Sequence, residues 1–95
     1  MIVAPGFVDC HTHLVFGGSR AQEYAARMTM SAEQVRALGI PTGISATVEM
    51  TQSASLETLT KKALRRVSRM LRQGTTTVES KTGYGLSLDV TRASC

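Results

Sequence analysis

Apolar and polar residues recur with two different periods along this chain, and the change of period divides it into predicted strands and helices. Near the start, a segment rich in Val and Phe follows a Pro-Gly turn and predicts a strand from about Ile2 or Phe7 to His13. Residues 75–81 are rich in β-branched threonine and predict a second strand. We expect the first strand to be buried.

Two short helices are predicted after the first strand. Residues 21–28 contain the helix-favouring Ala, Gln, Glu and Arg. Residues 31–38 open with Ser-Ala-Glu-Gln, a capping-box pattern, and a glycine and a proline follow. Residues 39–52 carry no clear period, so we predict irregular structure there, or weakly extended structure at 44–48.

The strongest helical pattern covers residues 56–73. Ser53 or Ser55 can serve as its N-cap, and Gly74 follows its last turn. Its apolar residues at helical spacing are Leu56, Leu59, Ala63, Leu64, Val67, Met70 and Leu71.

The predicted order of strand, helices, strand is that of a βαβ unit in an α/β fold, with a right-handed crossover and parallel strands. A closed (β/α)8 barrel of the TIM type needs about eight such repeats in roughly 250 residues. The chain has 95 residues, of which 42% are hydrophobic, and is one domain at most. We therefore predict that residues 1–95 are the opening βαβ segment of such a barrel, incomplete in this chain.

The net charge of +4 raises the question of a nucleic-acid partner. Six of the eleven basic residues lie on the polar side of the long predicted helix, where they are interpreted as a solvated face. They are Lys61, Lys62, Arg65, Arg66, Arg69 and Arg72. No aromatic residues lie among them, so we do not expect nucleic-acid binding.

Two further features bear on where the protein works. The apolar runs are only a few residues long, and the N-terminus lacks the pattern of a secretory signal, so no membrane association is expected. Cys10 and Cys95 are the only cysteines, which argues against a disulfide framework. We expect a cytoplasmic protein.

The candidate chemistry begins at His11 and His13. Alternate residues of a strand share a face, so these imidazoles lie together, with Asp9 on the same side. Two imidazoles in this arrangement are interpreted as half of a transition-metal site, whose other ligands must come from elsewhere because the chain has no third histidine. The alternative is two polar residues on a half-exposed strand.

Three acidic and basic residues near the strand ends are assigned supporting roles. Glu79 and Lys81 share a strand face and are predicted to form a buried ion pair. Asp9 is assigned a similar structural role, or support of the histidines from behind.

Three motifs together resemble the imidazolonepropionase family of metal-dependent amidohydrolases: PGFVDCHTHLVFGGSR at 5–20, RMLRQGTTTVE at 69–79 and SKTGYGL at 80–86. The first nine residues of the first motif are common to many amidohydrolases, whereas FGGSR and KTGYGL narrow the resemblance. The resemblance implies hydrolysis of a cyclic amide, in which the ring of 4-imidazolone-5-propanoate opens to N-formimidoyl-L-glutamate during histidine degradation.

The resemblance also implies roles for single residues. His11 and His13 match the family's paired ligands to one zinc or iron ion. Arg20 matches an arginine that contacts the substrate, and Tyr84 matches a tyrosine that contacts substrate and product. The remaining ligands and the groups that transfer protons come from later strands, so no residue here is assigned as general acid or base, and we expect the chain alone to be inactive. A homodimeric parent enzyme is left open.

The chain departs from the family pattern at Pro41-Thr42-Gly43-Ile44, at Thr51-Gln52 and in the tail at 86–95, which lacks an acidic helical continuation. The tail is interpreted as a truncation, a splice variant or a frame change. Two alternative functions therefore remain. The chain could derive from another cyclic amidohydrolase or an aminohydrolase, or it could be a non-catalytic truncated isoform.

Overall fold

The computed structural model describes residues 1–86, in which two strands flank four helices. The elements in chain order are β1 (Phe7–Thr12), α1 (Ala21–Arg27), α2 (Ala32–Ala37), α3 (Gly43–Gln52), α4 (Leu56–Arg72) and β2 (Thr75–Ser80). The strands pair in parallel, which confirms the predicted α/β class and βαβ order. No helix among the described residues is long and apolar enough to cross a membrane.

The pairing of β1 with β2 sets where the functional loops emerge. The register runs from Phe7 opposite Thr75 to Thr12 opposite Ser80. The backbone N–H of Lys81 donates to the carbonyl of Thr12 at 2.8 Å, which carries the pairing just past both strand ends. The two segments that follow the strands therefore leave the sheet at the same edge.

The predicted caps account for two of the helices. The Ser31 hydroxyl accepts from the N–H of Gln34 at 3.3 Å, and the Gln34 side chain accepts from the N–H of Ser31 at 2.8 Å, which completes the capping box of α2. Ser55, and not Ser53, caps α4, accepting from the N–H of Thr58 at 3.2 Å. These local bonds satisfy N–H groups that have no partner inside their helix.

The interpretation of residues 39–52 as irregular or extended was wrong from Gly43 onward, because Gly43–Gln52 forms α3. Its N-cap residue, Thr42, makes no side-chain cap bond. Instead the carboxylate of Glu23, on α1, accepts from the N–H of Gly43 at 3.2 Å. A cap supplied from twenty residues away leaves no local signal, and Ser, Thr, Ile and Val are only moderate helix formers.

The expectation that β1 is buried was also wrong. Phe7 and Val8 are 69% and 68% exposed, and on α4 only Leu59 is buried. Two strands and four helices cover only part of the apolar surface that the pattern provides. Among residues 1–86, the buried hydrophobic side chains are those of Val35, Ala46 and Leu59, a small core. The tail prediction concerns residues that, beyond Leu86, lie outside those described.

Candidate functional site

His11 and His13 lie at the end of β1, with their ring centroids 5.5 Å apart and their planes at 73°. His11 is exposed and His13 is half-buried. Asp9 accepts a hydrogen bond at 3.3 Å from the backbone N–H of His11, and so contacts the main chain that carries the first ring. The two imidazoles therefore lie close together in the structure.

His13 provides the test of whether these residues suit a metal ion. Its Nδ1 atom is buried and has no hydrogen-bond partner in the described part of the chain. Gly83 closes over it, since a Cβ at that glycine would lie 2.5 Å from Nδ1. A metal ion bound by His13 would therefore have to be held through its other ring nitrogen, Nε2. Two converging imidazoles suit zinc or iron, but residues 1–86 contain no cluster of three His, Cys, Asp or Glu side chains, so the donor set is partial.

Tyr84 lies beside the second histidine. Its ring centroid is 5.3 Å from that of His13 and 6.2 Å from that of Phe16, which it meets edge to face. Tyr84 and Arg20 line one cleft of about 280 Å³, together with Phe16 and Thr47. The fold thus brings both predicted substrate contacts to one cleft that adjoins His13. A depression of about 620 Å³ is lined by α4 residues alone and contains none of these groups.

Arg20 precedes the first residue of α1, and its side chain is 40% exposed. Its Nη1 atom lies 3.4 Å from Oε2 of Glu23, which is 7% exposed. The other carboxylate oxygen of Glu23, Oε1, lies 2.9 Å from Nε of Arg27. A buried carboxylate needs such partners, and here it holds one end of the Arg20 guanidinium beside the cleft. Arg20 therefore lies both at the start of α1 and in the lining of the cleft.

The loop after β1 is held by α4, and here the prediction of a solvated basic face was wrong for two residues. Arg66 donates to the carbonyls of Leu14 at 2.7 Å and Phe16 at 3.1 Å, and its guanidinium carbon lies 3.4 Å from the centre of the Phe16 ring. Lys62 donates to the carbonyl of Gly17. Burial lowers the pKa of Arg66 from its ordinary value, although an arginine stays charged at neutral pH.

The other side of the same loop is held by α3. The N–H of Gly17 donates to the hydroxyl of Thr51 at 3.0 Å, and that hydroxyl donates to the carbonyl of Thr47 at 2.7 Å. A side chain at Gly17 would collide with the backbone of Met50, which is why this close approach requires glycine. Sequence reasoning missed Thr51 and Arg66. The paired glycines were the available signal that another backbone approaches closely.

The prediction of a buried ion pair between Glu79 and Lys81 was wrong in one respect. The pair forms, but the two side chains are 52% and 43% exposed. The hydrogen bond and the charge of Lys81 lower the pKa of Glu79 from its ordinary value. This exposed pair is screened by water and contributes little to folding.

Comparison with known proteins identifies relatives of this segment. A family model described as amidohydrolase family matches residues 2–84. Imidazolonepropionase of Methylobacterium nodulans is 52% identical over 93 residues, which are 97% of this chain and 23% of that protein. The enzymes of the same name from Klebsiella pneumoniae and Photorhabdus laumondii are 50% and 46% identical, over 92% and 93% of the chain and 21% of each relative. The chain therefore spans about a fifth of the length of these relatives.

Proposed function

Since the chain belongs to the amidohydrolase family, we propose that it is a segment of an imidazolonepropionase, which hydrolyses the ring of 4-imidazolone-5-propanoate to N-formimidoyl-L-glutamate. The observation that carries the proposal is the position of Arg20 and Tyr84 in one cleft, with Tyr84 against His13. The names of the similar proteins support it. Residues 1–95 then form the opening of a (β/α)8 barrel, whose functional loops follow the carboxyl ends of the strands.

His11 and His13 would hold one zinc or iron ion together with ligands from the rest of the enzyme. When bound, such an ion lowers the pKa of a water molecule and polarises a carbonyl group. Gly83 encloses Nδ1 of His13, so the main chain restricts how this imidazole can rotate.

Arg20 and Tyr84 would bind and orient the substrate. A guanidinium offers a planar fork of N–H donors that suits a carboxylate, and the propanoate arm of the substrate supplies one. Glu23 occupies one side of the guanidinium and leaves the remaining donors for the cleft. Tyr84 presents a phenol that can donate or accept a hydrogen bond beside the imidazoles.

The groups that move protons during ring opening would come from elsewhere in the enzyme. We therefore expect the 95-residue chain alone to lack activity. The protein would act on a small molecule in the cytoplasm, without nucleic acid or membrane, and a homodimeric parent is compatible with this assignment.

The decisive experiment is a chimera in which this chain replaces the matching segment of the Methylobacterium nodulans enzyme. We expect the chimera to open the imidazolone ring. Arg20→Met should lower kcat/KM roughly 10- to 150-fold, the cost of a lost charged hydrogen bond. The matched control is Arg36→Met, because Arg36 lies exposed on α2 and, within residues 1–86, its side chain donates only to its own helix, at Ala32.

Two outcomes would contradict the proposal. A folded, metal-loaded chimera that ignores imidazolonepropanoate but hydrolyses another cyclic amide or an aminated purine would assign the segment to another amidohydrolase. A folded chimera without any hydrolytic activity would favour a non-catalytic isoform.

A further inference from the structure

Four groups lie in a row between α4 and the end of β1 that carries the histidines, each beside the next. The guanidinium of Arg66 lies 3.4 Å from the centre of the Phe16 ring. Phe16 meets Tyr84 edge to face at 6.2 Å, and Tyr84 lies 5.3 Å from His13. We propose that Arg66 is a positioning residue that fixes the ring of Tyr84 against His13 through the ring of Phe16.

The first step is the grip of Arg66 on the loop. Its two Nη atoms donate to the carbonyls of Leu14 and Phe16. The guanidinium carbon lies over the Phe16 ring, 3.4 Å from its centre. One side chain therefore fixes both the main chain of residue 16 and the orientation of its ring, which a lysine cannot do because an ammonium group lacks the planar fork.

The second step runs from Phe16 to Tyr84. The segment that carries Tyr84 follows β2 and has glycines on both sides. Gln52 donates to the carbonyl of Gly85 at 2.9 Å and holds the main chain, so the orientation of the Tyr84 ring is left to the groups that the ring itself contacts. The Tyr84 ring lies beside both Phe16 and His13. Edge-to-face contacts prefer defined geometries, so the position of Phe16 selects the position of Tyr84.

The consequence concerns the cleft. Tyr84 and Phe16 both line it, and Arg66 lies behind Phe16, outside the lining. Arg66 would thus set the shape of a site that it does not touch. The effect of Arg66 on substrate binding rests on the proposed function, whereas its effect on the position of Tyr84 does not.

The full 95-residue chain permits a spectroscopic test without turnover, because it has no Trp and only two Tyr. In a Tyr24→Phe background, Tyr84 becomes the only tyrosine. Its near-ultraviolet circular dichroism reports how rigidly the ring is held, and NOEs between the Tyr84 and His13 ring protons report their contact. Far-ultraviolet circular dichroism monitors the helices in the same samples.

We expect Arg66→Lys to lose about half or more of the Tyr84 signal and most of the NOE intensity, with helical content unchanged. The matched control is Arg69→Lys, an exposed arginine on the same helix, which should change neither signal. Phe16→Leu is the second variant, because it keeps the carbonyls that Arg66 binds while removing the ring. It should release Tyr84 as Arg66→Lys does.

The proposal is overturned if Arg66→Lys gives the same Tyr84 signal and NOEs as Arg69→Lys. It is equally overturned if Phe16→Leu leaves Tyr84 fixed, and this variant decides the question should Arg66→Lys fail to fold. Neither result depends on whether a chimera opens the imidazolone ring, so the two proposals can fail separately.

Discussion

Thr51→Val offers the sharpest test of how α3 holds the loop that follows β1. Thr51 is 1% exposed, and its hydroxyl accepts the N–H of Gly17, itself buried, at 3.0 Å. Valine keeps the shape of the side chain but removes the acceptor, and water cannot reach the site to replace it. The carbonyl of Thr47 remains inside α3. The N–H of Gly17 is therefore the group that loses its hydrogen-bond partner.

A buried N–H left without a partner costs about 1–3 kcal/mol. For a chain of this size that lowers the melting temperature by roughly 5–20 °C. Native-state hydrogen exchange should show the amide of Gly17 exchanging roughly 5- to 150-fold faster. Thr51→Ser keeps the hydroxyl and loses one methyl group, so it should cost less, at about 1 kcal/mol.

The control is Thr60→Val, an exposed position on α4 where the same change removes no tertiary hydrogen bond to another residue of the described part of the chain. Valine and threonine differ little in helix propensity, so the control separates the buried bond from the helix effect. A melting temperature for Thr51→Val within about 2 °C of that for Thr60→Val would refute the reasoning. So would a larger loss for Thr51→Ser than for Thr51→Val.

Four further predictions concern the N-cap of α4, the pH dependence of the Glu79–Lys81 pair, the contact of Gly83 with His13, and zinc binding. Ser55→Ala removes the cap of α4 and should cost about 0.5–2 kcal/mol in denaturant unfolding; an unchanged midpoint would contradict the cap. Lys81 lowers the pKa of Glu79 in the folded state. The pair therefore stabilises the fold at pH values above the unfolded-state pKa of Glu79, and this stabilisation is lost as the pH falls through the folded-state pKa. The difference in melting temperature between the chain and Glu79→Gln should accordingly shrink from about pH 7 to about pH 3, and a difference that grows would contradict this sign. Gly83→Ala places a methyl group 2.5 Å from Nδ1 of His13 and should shift that ring's NMR resonances, whereas unchanged resonances would show that the loop yields instead. Zinc should bind the isolated chain weakly and leave with a chelator without changing the melt, because two imidazoles are half a site; tight stoichiometric zinc would contradict this.

Local patterns predicted the parts of this fold whose causes are local. The capping box at Ser31 and the parallel pairing of β1 with β2 follow from short-range signals and element order, and the cap of α4 is one of the two serines that the sequence offered, Ser55. The start of α3 does not, because Glu23 supplies its cap from another helix. The expected burial of β1 failed for a related reason, since burial depends on what covers a strand and not on the strand's own residues.

The candidate site divides in the same way. His-x-His spacing, the glycine-rich loop and the Gly-Tyr-Gly segment are visible in the sequence, and the fold brings them to one edge. The supports of that edge were not visible. Arg66 belongs to a run of basic residues whose members look alike in sequence, and only the path of the loop distinguishes it from Arg69.

The distances along the chain between the loop and its supports have a consequence for folding. Arg66 donates to the carbonyl of Leu14, which lies 52 positions earlier in the chain. The hydroxyl of Thr12 donates to the carbonyl of Glu79, which lies 67 positions later. Contacts of this separation form late, because a long loop must close before they stabilise anything. During synthesis the histidines leave the ribosome before α4 and β2, so their surroundings take shape only after those two elements have emerged. A chain arrested before Arg66 would therefore carry the complete His-x-His motif and none of the geometry that makes it a site.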